Sequence, residues 1–157
     1  MADYLTLAVV QNALGTRFVL QHTDDDKDGT PDADVLTALY KAAESDVNIR
    51  VNKGYVLPIN VTDHGQMAYD AMENLCISAF KYRCHLRRST VDEQVANDYE
   101  MTLKSAEAMG KGGLAMPGDP PVQRTSPESS QGSHRLMADL TTKPVNRSWT
   151  RDESGNM

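Results

Sequence analysis

The sequence predicts an all-α chain, a small four-helix, bundle-like domain followed by a long extended C-terminal tail. Three observations carry that expectation. Apolar residues recur at helical spacing as far as Met109. Helix-start and helix-stop residues bracket each periodic run. The composition then changes at Gly110, after which come Lys111-Gly112-Gly113, Pro117-Gly118-Asp119-Pro120-Pro121 and Ser126-Pro127-Glu128-Ser129-Ser130-Gln131-Gly132-Ser133. Such a stretch buries too little apolar surface to offset the entropy lost in ordering it. The expected division is a helical domain over 1–110 and a tail over 111–157.

Each helix has its own signals. Thr6 caps a short helix through Leu7, Val10 and Leu14, closed by Gly15, and Arg17 to Gln21 adds a turn with Phe18 inward. Thr30 as N-cap and Pro31 at the first helical position open the next helix, with Asp32 and Asp34 near the positive end of its dipole. Its stripe is Leu36, Leu39, Tyr40, Ala43, Val47 and Val51, and Gly54 closes it. Tyr55-Val56-Leu57-Pro58-Ile59 is extended, because Pro58 keeps the preceding residue out of the helical region. Asp63 with Gln66 starts the central helix, whose face reads Met67 or Ala68, Ala71, Met72, Leu75, Ala79, Tyr82 and Leu86. Thr90 with Glu93 forms a capping box for the last helix, lined by Val95, Tyr99, Leu103, Ala106 and Met109 and ended by Gly110.

Composition excludes several classes of function. A chain of 157 residues fits one domain, and 6% aromatics means a core of Leu, Val, Ala and Met. The net charge of -6 argues against generic nucleic-acid binding. That charge is unevenly divided: residues 1–110 hold ten Lys/Arg and seventeen Asp/Glu, whereas 111–157 hold six and five. No apolar run approaches a membrane span, and Met1-Ala2-Asp3-Tyr4 lacks the pattern of a signal peptide, so a cytosolic origin is expected.

The sharpest local motif is Asp24-Asp25-Asp26-Lys27-Asp28-Gly29-Thr30-Pro31-Asp32. Asp24, Asp26, Asp28 and Asp32 around Gly29 follow the opening positions of a calcium loop, but Val35 stands where a bidentate Glu belongs. A looser calcium loop and a solvated acidic turn both remain open. Cys76 and Cys84 would lie about 12 Å apart on one helix, too far for a disulfide, and read as buried reduced thiols. His22, His64, His85 and His134 form no ligand pair, and Cys84-His85 point apart on a helix. Gly110-Lys111-Gly112-Gly113 follows a helix, so it reads as a C-cap and hinge and not as a phosphate loop. An enzyme is therefore the least supported reading.

Two features suit partners. Arg83, Arg87 and Arg88 form a basic helix end that meets acids of a neighbouring subunit or stays solvated. The tail carries spaced anchors in polar sequence: Leu114, Met116, Leu136, Met137, Leu140, Val145 and Trp149, the last flanked by Arg147 and Arg151. Spaced apolar and Trp/Arg anchors suit a segment that orders on a partner.

Residues 4 to about 116 resemble the small head–tail joining proteins of tailed bacteriophages, in the Mu-like connector group. The likeness lies in the order of features. A threonine-capped helix near Tyr4 precedes an Asp-rich stretch ending Asp28-Gly29-Thr30. A helix then runs into Gly54-Tyr55-Val56-Leu57-Pro58-Ile59, a family "Gly-x-Tyr-x-Leu-Pro" turn shortened by one residue. A core helix ending Tyr82-Arg83, a capped helix with Tyr99 and Leu103, and Lys111-Gly112-Gly113-Leu114 complete the set. The resemblance implies a four-helix adaptor of the virion neck, made in the host cytoplasm and closing a ring of about twelve copies below the portal. It further implies a tail that docks on the portal, a lower face for the next neck, stopper or tail protein, and an acidic lumen passing genomic DNA without sequence-specific binding. From the residues, no membrane is expected, and no cofactor apart from calcium at the Asp-rich loop. The alternatives are a calcium-dependent helical binding module and a small DNA-binding regulator, the latter disfavoured by the acidic balance.

Overall fold

The computed structural model describes residues 4–118. Among them all regular structure is helical: α1 (Leu7–Leu14), α2 (Thr16–Thr23), α3 (Ala33–Val51), a single turn α4 (Val61–His64), α5 (Gln66–Arg87) and α6 (Glu93–Gly110). The described residues adopt the expected all-α class, with α3, α5 and α6 as their three long helices. The short link from α5 to α6 turns the chain back on itself. The C-terminal ends of α3 and α6 meet, so both run against α5. The α1–α2 pair lies on α5.

The first cap is as expected. The Val9 N–H donates to Thr6 Oγ1 at 3.3 Å, and Gly15 (φ 87°) ends α1 and opens α2. Three other helix starts differ. α3 begins at Ala33, after Thr30 and Pro31, with Asp32 at its N-cap; Thr30 instead donates its hydroxyl to Asp28 Oδ1 at 2.6 Å. α5 begins at Gln66 behind Gly65 (φ 83°), and the Gln66 amide reaches forward to Asp70 Oδ1 at 2.6 Å, not back to a cap. α6 is capped by Asp92, which accepts from the Val95 N–H at 2.7 Å. Thr90 belongs to the exit of α5, where its N–H donates to the His85 carbonyl at 2.9 Å.

The core draws on every long helix. All six α3 residues of the expected stripe are buried. On α5 the buried row is Ala68, Met72, Cys76, Phe80 and Cys84, joined by Ala79, whereas Leu86 is 47% exposed. The expected stripe was thus rotated. This row follows strict i+4 spacing, one of the ridges by which helices interdigitate, and both cysteines act as small apolar side chains within it. Full burial of Phe80 alone contributes about 1.5–3 kcal/mol.

Glycines permit the closest helix approach. A Cβ on Gly110 would sit 2.0 Å from the Arg50 carbonyl oxygen, and one on Gly54 would sit 2.7 Å from that of Gly110. Gly110 is therefore the last residue of α6 pressed against α3, and not only a stop signal.

The folded part also continues past Gly110. Met116, expected as a tail anchor for a partner, is 4% exposed within its own domain, and its N–H donates to Tyr55 Oη at 3.0 Å. An apolar side chain six places after Gly110 finds a site beside Tyr55, so packing on the domain continues past the composition change.

Candidate assembly surface

The acidic segment folds onto its own backbone. Gly29 N–H donates to Asp24 Oδ2 (3.1 Å), Asp28 N–H to Asp26 Oδ1 (3.2 Å), and Thr30 N–H to Asp28 Oδ1 (2.7 Å). These Thr30 bonds hold the Asp28 carboxyl below its usual range. Asp32 Oδ2 closes the turn by accepting from Asp25 N–H at 2.9 Å. Asp24, Asp26 and Asp28 bring carboxylate oxygens within 4.8 Å of one another, and Asp32 stands outside that group. Calcium takes roughly six to eight oxygens. Three aspartates supply a partial shell, which backbone carbonyls and water would have to complete.

The basic end of α5 meets this turn inside the same chain. Arg87 Nη2 and Arg88 Nη2 both donate to Asp25, the Arg88 bond measuring 2.9 Å, and Arg87 Nη1 donates to the His22 carbonyl at 2.8 Å. The Arg87 hydrogen bond, ahead of the charge of either arginine, holds the Asp25 carboxyl below its usual range. Arg87 and Arg88, expected either to meet acids of a neighbouring subunit or to stay solvated, are paired with an acid of their own chain. Under this latch His22 is buried between Phe18 and His85, with ring centroids 4.2 Å and 5.1 Å away. Its Nδ1 lies 2.8 Å from the Phe18 carbonyl, an acceptor, so Nδ1 carries the proton. Burial pushes the His22 pKa down. Beside it a groove of 960 Å³ is lined by residues of both signs, among them Arg17, Asp25, Lys27 and Arg88.

Arg83 is committed elsewhere. Its Nε and Nη2 donate to the two Asp46 oxygens at 2.8 and 2.7 Å, and Tyr99 Oη donates to Asp46 Oδ2 at 2.9 Å. Tyr99 stacks on Tyr82 with ring centroids 3.9 Å apart. This cluster ties α3, α5 and α6 together, so Arg83, a candidate for a subunit interface or a solvated helix end, has a packing role within the chain. Both thiols are fully buried, and desolvation pushes Cys84 up to about 12 and Cys76 higher still, which suppresses thiolate chemistry.

One buried acid escaped the sequence reading. Glu44 Oε1 accepts from the N–H groups of Tyr4 (2.8 Å) and Leu5 (3.0 Å), while Tyr4 Oη accepts from Ile59 N–H at 2.8 Å. These bonds strap the N-terminal segment across the domain. The available signal was position: Glu44 falls at i+4 from Tyr40, inside the α3 stripe.

Of the expected tail anchors, Leu114 is 44% exposed and Met116 is buried. Leu136, Met137, Leu140, Val145, Arg147, Trp149 and Arg151 lie outside the described residues. Among the described residues no helix is long and apolar enough to cross a membrane.

Comparison with known proteins adds the family. No curated protein and no solved structure matches the chain. A family model described as "Bacteriophage Mu, Gp36" matches residues 4–135, most of the sequence and all of the described residues. That match assigns the protein a bacteriophage origin and the character of a structural or morphogenesis protein. The chain belongs to the bacteriophage Mu Gp36 family.

Proposed function

We propose that this protein is a head-to-tail adaptor of the phage neck, forming a ring below the portal that continues the DNA channel and accepts the next neck or tail protein. The observation that carries the reading is the division of the chain. A helical domain, inside the family match, packs as far as Met116, and the anchors from Leu136 to Trp149 follow in sequence beyond the matched residues. A compact module with an appended run of anchors suits joining, because the module packs beside its copies while the run reaches a different protein. The excess of Asp and Glu in residues 1–110 suits a channel wall that passes DNA without adhesion. The role is assembly and not catalysis.

The test is site-specific cross-linking in the particle, with a photoreactive amino acid replacing Trp149. The adaptor reading expects covalent capture of the portal protein. Capture of a tail protein alone, or of nothing, contradicts it.

A second reading, a calcium-dependent binding module, rests on the gathering of Asp24, Asp26 and Asp28. Calorimetric titration with calcium chloride separates the two. Stoichiometric binding abolished by Asp26→Asn favours the calcium module, and no heat of binding dismisses it.

A further inference from the structure

We draw no further inference here: the strongest candidate, the groove between α2 and the C-terminal end of α5 lined by Arg17, His22, Asp24, Lys27 and Arg88, presents cations and acids side by side, and nothing in the structure shows what covers it.

Discussion

Arg83 holds Asp46 through two parallel hydrogen bonds of 2.8 and 2.7 Å, joining α5 to α3 across 37 residues of sequence. Tyr99 adds a third bond from α6 to the same carboxylate. Paired, planar bonds of this kind are among the stronger polar contacts in proteins. Asp46→Ala leaves a half-buried guanidinium and a tyrosine hydroxyl without their acceptor. The expected loss is about 2 kcal/mol, discounted for the partial exposure of the pair. Urea denaturation of the variant checks it, and Tyr99→Phe in the same background should cost almost nothing more.

Gly110→Ala forces a methyl group against the Arg50 carbonyl, where both atoms belong to helix ends that cannot yield independently. A loss of about 3 kcal/mol is expected, at the upper end for overpacking. Gly113→Ala is the control, since its nearest contact lies at 3.6 Å. Thermal denaturation of the two variants should separate them clearly.

The buried His22 makes stability depend on pH. Its folded pKa is lowered by burial, so the unfolded chain takes up the proton first. Stability from this group is therefore complete above the ordinary histidine pKa of about 6.5 and declines as pH falls below it toward the folded value. The denaturation midpoint should drop between pH 7.5 and 5.5. His22→Gln should remove that part of the slope.

Tyr40 points to a different kind of variant. Its hydroxyl is buried without a hydrogen-bond partner, its ring lies 5.3 Å from that of Phe80, and desolvation pushes its pKa up to about 12. Tyr40→Phe removes an unsatisfied group and keeps the ring. The variant should be as stable as the natural chain or more stable by about 1 kcal/mol, read from its melting curve.

These residues also show what a sequence discloses. The α3 stripe was legible because one face of that helix meets the core, so periodicity alone located it. α5 is packed on several sides, and its neighbours select the buried row, which spacing within one helix does not encode. Cap residues misled where Thr and Asp compete within three positions, as at Thr30 against Asp32 and Thr90 against Asp92. The acidic turn and the basic helix end were both visible as patterns. Their union through Asp25, Arg87 and Arg88 spans more than 60 residues and depends on how α2 lies over α5. Met116 was hidden by the glycine and proline around it.

The central claim is that this protein joins heads to tails, and an amber mutation in its gene tests that most directly. Electron microscopy of a non-suppressing infection should show DNA-filled heads beside separate, complete tails, and adding the purified chain should restore tailed particles. Tailed, infectious particles formed without the protein, or a block in head formation, would contradict the account.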